Sequence, residues 1–164
     1  MKTNLVLVGL LNDKTRKLAE KLALDLELYF ADLDKLVEYN LFNIQEIQEN
    51  CGVEYFNKLK QELIKDVSTY ENTLIYMPFD MFIEGKNSEY FNKYGTTVYL
   101  DFDKKVIKQY FNGEQKNEAE IFFLNYEERK NFLEQEANIT IKLQKDDFEK
   151  NLKNIKKIIE DYYL

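Results

Sequence analysis

The chain of 164 residues carries a formal net charge of −7 at neutral pH and contains no histidine. The excess of carboxylates opposes binding to nucleic acid or to an anionic membrane. The absence of histidine excludes histidine-based acid–base catalysis and histidine metal ligation. Because 45% of the residues are hydrophobic and 15% aromatic, the sequence can build one folded core, and we expect a single domain over residues 1–164.

The sequence also indicates a compartment. The single cysteine, Cys51, cannot form an intramolecular disulfide and is compatible with a reducing environment. No apolar run approaches the roughly 20 residues needed to cross a bilayer, and the short run that ends at Leu11 lacks the cleavage site of a signal peptide. We therefore expect a cytoplasmic protein without membrane or nucleic-acid partners.

Strands and helices are predicted to alternate along the chain. Leu5–Val8 is an uninterrupted apolar run, typical of a strand buried on both faces of a parallel sheet, and Thr15–Asp25 has the three- and four-residue spacing of an amphipathic helix. Asn43, three residues before Glu46, is predicted to form a capping pair. The other predicted strands are 28–31, 73–77, 96–100 and 139–141, and the other predicted helices are 36–41, one from 43, 53–67, 89–93, 103–111, 126–135 and 148–162.

No regular element is predicted for residues 112–125, which are polar at first and then apolar at Ile121–Leu124. Five strands alternating with helices predict a three-layer α/β/α fold with a mainly parallel five-stranded sheet.

Gly9 ends the first strand where mononucleotide-binding folds place their phosphate loop. The stretch Asn4–Asp34 resembles the opening of shikimate kinases, which reads strand, G-x-x-x-x-G-K-S/T, helix, strand and Asp-x-Asp, here Asp32-Leu33-Asp34. Four further family motifs, "S-I-x-E-I-F", "E-x-F-R-R-x-E", "V-V-W/Y-L" and "A-D-x-x-I", are similar in order to residues 43–47, 54–59, 97–101 and 137–141. The resemblance implies a shikimate-kinase-like P-loop NTPase fold and, for an active member, transfer of the ATP γ-phosphate to shikimate.

The loop itself departs from the family pattern. In that pattern the glycines let backbone N–H groups converge on phosphate, the lysine neutralises the phosphates and the hydroxyl holds Mg²⁺. In the ungapped alignment Lys14 replaces the second glycine, Thr15 the lysine and Arg16 the hydroxyl. Deleting one loop residue would instead place Lys14-Thr15 on the lysine–hydroxyl pair. We expect a vestigial loop and no cofactor, with Mg-ATP the cofactor under the alternative alignment; the loop residues are Gly9, Asn12, Asp13, Lys14, Thr15 and Arg16.

The resemblance also implies substrate-side residues. Asp34 matches the carboxylate that serves shikimate hydroxyls as general base or anchor. No metal is expected, and Asp32 would be its ligand if Mg²⁺ binds. Lys58 and Lys130 stand in for arginines that bind the acidic substrate, and lysine loses their bidentate recognition of a carboxylate. The alternative interpretation of Asp32 and Asp34 is that they cap the following helix, where carboxylates favour the helix dipole.

Three functions follow from these residues. The first is a degenerate family member that keeps the fold but has lost phosphoryl transfer, with a binding or regulatory role and an unknown protein partner. The second is an active shikimate kinase with an altered loop, in which Lys14 replaces the missing lysine. The third is a binding module for another small anion. Two aromatic segments, Phe79–Phe82 and Ile121–Leu124, are predicted to fill the cleft that ATP and substrate occupy in the family.

Overall fold

The computed structural model describes residues 4–41, 43–111 and 116–163. Over these residues the chain forms five strands and ten helices. The strands are β1 (Asn4–Gly9), β2 (Tyr29–Asp32), β3 (Thr73–Pro78), β4 (Gly95–Phe102) and β5 (Ile139–Leu143). The helices are α1 (Asp13–Asp25), α2 (Leu33–Asn40), α3 (Ile44–Cys51), α4 (Val53–Ser68), α5 (Phe79–Ile83), α6 (Asn87–Tyr94), α7 (Lys104–Tyr110), α8 (Lys116–Phe123), α9 (Tyr126–Glu136) and α10 (Phe148–Tyr163).

The strands form one sheet in the order β2-β3-β1-β4-β5, and each neighbouring pair is parallel. Helix α1 packs on α10, whereas α4 packs on α6. The predicted three-layer fold is therefore confirmed, and the described sheet is wholly parallel. Gly9 and Pro78 are register partners at the carboxyl ends of β1 and β3, the edge where parallel α/β sheets bind ligands.

The position of β1 in the core explains why its apolar sequence pattern predicted a buried strand. Leu5–Val8 is buried on both faces because β1 lies at the centre of the sheet. Helix α1 turns one apolar stripe towards this sheet, with Leu18 and Leu22 at most 4% exposed. In the described residues no helix is both long and apolar enough to cross a bilayer.

Three local predictions were wrong or incomplete. Asn43 adopts a left-handed backbone with φ of 58° and its side chain makes no capping hydrogen bond, so the predicted capping pair is not formed. Helix α5 was missed because five residues are too short to display a helical period. Helix α8 lies within residues 112–125, for which no regular element was predicted. Residues 112–115 of that region lie outside the described residues.

Candidate functional site

Hydrogen bonds to Asn12 fix the conformation of the loop after β1. The Oδ1 atom of Asn12 accepts a hydrogen bond of 2.8 Å from the backbone N–H of Thr15, and the Asn12 carbonyl accepts one of 3.0 Å from the N–H of Arg16. Asn12 is therefore the N-cap of α1, which satisfies a donor that the start of a helix otherwise offers to an anion. Asp13 follows in the first turn and adds a negative charge there.

Tyr76 fixes the same loop from the neighbouring strand. Its hydroxyl donates a hydrogen bond to the carbonyl oxygen of Leu10, and its side chain is fully buried. Burial raises the pKa of Tyr76, so the hydroxyl stays protonated and remains a donor. This contact joins β3 to the loop at a point where the loop would otherwise be free to open.

Thr15, which the ungapped alignment places at the position of the lysine of the phosphate loop, lies in the first turn of α1. Its side chain is 2% exposed, and its hydroxyl has no hydrogen-bond partner among the described residues. A Cβ atom added at Gly9 would lie 3.2 Å from the Thr15 methyl carbon, so glycine allows the strand end and the helix to approach closely. The short side chain is packed into the fold and carries no charge towards the cleft.

Arg16 lies between carboxylates. Its Nε donates to Oδ2 of Asp32, its Nη1 lies 3.0 Å from Oδ1 of Asp13, and its Nη2 lies 4.0 Å from Oδ2 of Asp34. Asp32 is only 8% exposed, whereas Asp13 is largely in solvent. The guanidinium thus supplies the positive charge that the buried carboxylate needs.

Asp32 at the end of β2 and Asp34 in the first turn of α2 make different interactions. The Oδ1 atom of Asp32 accepts a hydrogen bond of 3.1 Å from the N–H of Lys35 and caps α2, as one of the two sequence interpretations predicted. Burial raises the pKa of Asp34, and the nearby carboxylates of Glu38 and Asp32 raise it further, although Arg16 opposes the shift. The surroundings of Asp34 therefore shift its equilibrium towards the protonated form.

Lys14 forms an ion pair away from the carboxyl ends of the strands. Its Nζ lies 2.6 Å from Oδ2 of Asp146, which precedes α10. Lys14 is not among the described residues that line the cleft beside the loop. The structure thus pairs Lys14, the lysine that the alternative alignment places at the phosphate-binding position, with a carboxylate of the chain itself.

A cleft of about 590 Å³ lies at the carboxyl ends of β1 and β3. Its described lining residues come from the end of β1 and the loop after it, from the end of β3, from the start of α5, from the residue that follows α7, and from α8 and α9: Gly9, Leu10, Leu11, Asn12, Pro78, Phe79, Asp80, Phe111, Glu118, Ile121, Phe122 and Arg129. The ring centroids of Phe79 and Phe122 are 6.0 Å apart. Among the described residues, Phe79 and Asp80 of one aromatic segment and Ile121 and Phe122 of the other form walls of this cleft and do not fill it, contrary to the prediction.

The structure brings Arg129, not Lys130, to this cleft. Nζ of Lys130 lies 3.5 Å from Oδ2 of Asp101, and Lys130 is not among the described residues that line this cleft. Lys58 is exposed on α4 and is not among the described lining residues. Sequence reasoning missed Arg129 because positions 129 and 130 both lie one turn from the buried residues Tyr126 and Leu133, so spacing along α9 does not separate them.

Arg129 is a largely buried cation. Its Nη1 lies 3.0 Å from Oδ1 of Asp80, and its guanidinium carbon lies 5.0 Å from the ring centroid of Phe122. Its Nε and Nη2 are buried and have no hydrogen-bond partner among the described residues. Buried donors are nearly always satisfied in native proteins, so these two atoms distinguish Arg129 from the other basic residues near the cleft.

A parallel five-stranded sheet flanked by helices, with a loop and helix after its central strand and an acidic pair after β2, defines a P-loop kinase fold. The sequence model of the family described as shikimate kinase matches residues 14–161. The chain belongs to the shikimate kinase family.

Individual relatives agree with this assignment. A shikimate kinase of Bacteroides fragilis is 30% identical over 102 residues, and the match covers 62% of this chain but only 57% of that protein. A shikimate kinase of a Sulfurihydrogenibium species is 28% identical over 148 residues, which cover 87% of this chain and 89% of the relative. The crystal structure of the shikimate kinase of Bacteroides thetaiotaomicron superposes with a TM-score of 0.78 at 20% identity, over 96% of this chain and 98% of that one.

Proposed function

We propose that this chain is a degenerate shikimate-kinase-like protein, which has lost phosphoryl transfer and keeps its cleft for binding a small anion in a regulatory or sensing role. The observation that carries the proposal is the guanidinium of Arg16, held by Asp32 with Asp34 at 4.0 Å. This side chain takes the place of the family hydroxyl that helps to hold Mg²⁺, and it brings a fixed positive charge to the carboxylate that would face the metal.

The residues present do not fit a magnesium ion. A divalent cation beside Asp32 would have to displace Arg16 or tolerate a like charge at contact distance. We therefore propose that no metal binds at this pair.

The loop does not fit the phosphates of ATP either. The N–H of Thr15 is taken by Asn12, and the Nζ of Lys14 is 2.6 Å from Asp146. The positions of the second glycine and the lysine carry Lys14 and Thr15, so both the backbone cradle and the charge that neutralises phosphate are lost. Asp13, in the first turn of α1, would repel a phosphate brought to this point.

A binding role is supported by the cleft that remains. It is open, and it offers Arg129 as a cation with two unpartnered donors. Clefts of this size commonly hold small molecules. We further propose a cytoplasmic location, with which the single free Cys51 is compatible.

The experiment is a calorimetric titration of Mg-ATP into the purified protein, with and without shikimate, together with an assay for ADP release. We expect no saturable heat at millimolar nucleotide and no shikimate-dependent ADP. An active shikimate kinase of known activity serves as the positive control for both measurements.

The competing function is an active shikimate kinase, which the names of its relatives favour. It requires that Lys14 leaves Asp146 and reaches the nucleotide. Saturable Mg-ATP binding that weakens in Lys14→Ala, with phosphoryl transfer to shikimate, would establish that function and refute the proposed one.

A further inference from the structure

Three exposed tyrosines lie at the amino edge of the sheet, which is the edge opposite the cleft. The parallel strands all begin at this edge, and Tyr29 is the first residue of β2. Tyr70 lies just before β3, and Tyr94 is the last residue of α6, directly before β4. Their exposed fractions are 75%, 42% and 40%, so a large aromatic surface faces solvent here. We call these three residues the tyrosine row.

Hydrogen bonds and strand register make the members of the tyrosine row neighbours. The N–H of Tyr29 donates a hydrogen bond of 2.8 Å to the carbonyl of Asn72, which closely follows Tyr70. The carbonyl of Tyr70 accepts a hydrogen bond from the side-chain amide of Asn4. Asn4 is in turn the register partner of Gly95, the residue that follows α6. The strand order β2-β3-β1-β4 therefore gives the row a length of about 15 Å.

The same edge of the sheet carries negative charge. Helices α1, α4, α6 and α9 end here, because each runs back to the start of the next strand, and helix C-termini carry a partial negative charge. The side-chain amide of Asn92 in α6 donates a hydrogen bond of 2.9 Å to the carbonyl of Glu136, so the ends of α6 and α9 are in contact. The exposed carboxylates of Glu27 and Glu71 lie next to the row in sequence and form no ion pair in the described part of the chain. This edge therefore attracts a cationic partner.

The tyrosine rings at this edge are suited to cations. Nζ of Lys93 lies 5.1 Å from the ring centroid of Tyr94, which shows one ring already in contact with an ammonium group. The rings of Tyr29 and Tyr70 have no such cation among residues 4–41, 43–111 and 116–163. Two faces of the row are thus available to the cations of another molecule, and tyrosine is a residue type enriched in protein interfaces.

We propose that the tyrosine row is an interaction surface for a partner protein, which binds through an exposed segment rich in arginine and lysine. The cations of the partner lie over the rings of Tyr29 and Tyr70 and pair with Glu27 and Glu71. A second copy of this chain fits less well, because two copies of the same edge would bring like charges together. The row lies at the opposite ends of the strands from the cleft, so the partner leaves the cleft accessible and its binding does not depend on the ligand of the cleft.

The probe is an acetylated peptide of about ten residues in which glycine and arginine alternate, since about five extended residues span the row. Its affinity for the purified protein is measured by calorimetry at physiological ionic strength, and its position by chemical-shift changes in the isotope-labelled protein. We expect saturable binding, with the largest changes at the start of β2 and just before β3 and β4. The same peptide with glutamate in place of arginine is the control and should not bind.

Matched pairs of tyrosine variants separate the row from other exposed aromatic residues. Tyr29→Ser combined with Tyr70→Ser should weaken binding of the basic peptide about fivefold or more. Tyr39→Ser combined with Tyr55→Ser also removes two exposed tyrosines, but outside the row, and should change the affinity less than about twofold.

Matched pairs of glutamate variants separate the row from the net charge of the protein. Glu27→Gln combined with Glu71→Gln should weaken binding about threefold or more, and it provides a second test should the tyrosine variant fail to fold. Glu46→Gln combined with Glu62→Gln changes the net charge equally at exposed positions of α3 and α4 and should have less than about half of that effect.

Several results would overturn the inference: no saturable binding of the basic peptide, equal binding of the acidic peptide, chemical-shift changes centred away from the row, or equal losses in the row and control variants. Sedimentation of the protein alone tests the other occupant. A dimer that dissociates in the variant with Tyr29→Ser and Tyr70→Ser would make this edge an interface between copies and would refute the basic partner. A monomer that binds the basic peptide at the row would support it.

Discussion

The Nε atom of Arg16 donates to the carboxylate of Asp32, and this one contact joins the first turn of α1 to the end of β2. Asp32 also caps α2 through its other oxygen. The buried carboxylate of Asp32 thus connects the end of β2 with helices α1 and α2, and Arg16 balances its charge.

Replacing Arg16 by methionine should destabilise the protein. The carboxylate of Asp32 would stay 92% buried without its cation, and we expect the free energy of unfolding to fall by about 2–3 kcal/mol. Lys17→Met, at an exposed position of the same helix, is the control and should change it by less than about 0.5 kcal/mol. Urea unfolding measures both. The double variant Arg16→Met with Asp32→Asn should recover part of the loss, and no recovery would argue against the pair as the cause.

Asn12→Ala should remove the cap of α1. The N–H of Thr15 loses its 2.8 Å acceptor, and the expected loss in the free energy of unfolding is about 1 kcal/mol. Asn12→Ser keeps an oxygen acceptor at this position and should retain most of the stability. Thermal and urea unfolding report the difference; equal losses in both variants would mean that the cap is not what holds the loop.

Tyr76→Phe should loosen the loop from β3. The buried carbonyl of Leu10 would lose its donor, which we expect to cost about 1–2 kcal/mol in the free energy of unfolding. Tyr99→Phe is a matched control, because the hydroxyl of Tyr99 lies 3.4 Å from Asp101 and makes at best a weak hydrogen bond. Urea unfolding of the two variants should therefore give clearly different losses, and similar losses would contradict the role given to Tyr76.

Asp34→Asn should stabilise the protein relative to the original one, and this gain should grow as the pH rises. The pKa of Asp34 is raised by burial and by Glu38 and Asp32, so the folded chain holds this proton more tightly than the unfolded chain does. Stability linked to the proton is present below the unfolded pKa of about 3.9 and is lost as the pH rises through the raised folded pKa. The free energy of unfolding of the variant should therefore equal that of the original protein at about pH 3 and exceed it at neutral pH.

Unfolding measured across this pH range tests the expectation for Asp34. Asp25→Asn, which breaks the pair with Lys21 on α1, is the control and should bring no gain at neutral pH. A gain for Asp34→Asn that is the same at acidic and neutral pH would show that its cause is not ionisation.

Much of the fold could be predicted because its signals are local. The uninterrupted apolar run of β1 and the helical period of α1 each lie within a few residues, and each is buried as predicted. The region after residue 78 was harder, because α5 spans only five residues and its apolar side chains divide between the cleft, which Phe79 lines, and the core, which holds Met81 and Phe82. Pattern alone does not separate a core wall from a cleft wall.

The sequence by itself determined the order of the five strands and the parallel sheet, and it predicts, in the ungapped alignment, that Lys14, Thr15 and Arg16 replace the second glycine, the lysine and the hydroxyl. Only the tertiary structure decided where those charges go: Arg16 to Asp32, and Lys14 to Asp146, which is 132 residues away. It also decided that Arg129 rather than Lys130 lines the cleft. The physical reason is that hydrophobic periodicity acts within one element, whereas the partner of a buried charge is set by which distant elements the fold packs against it.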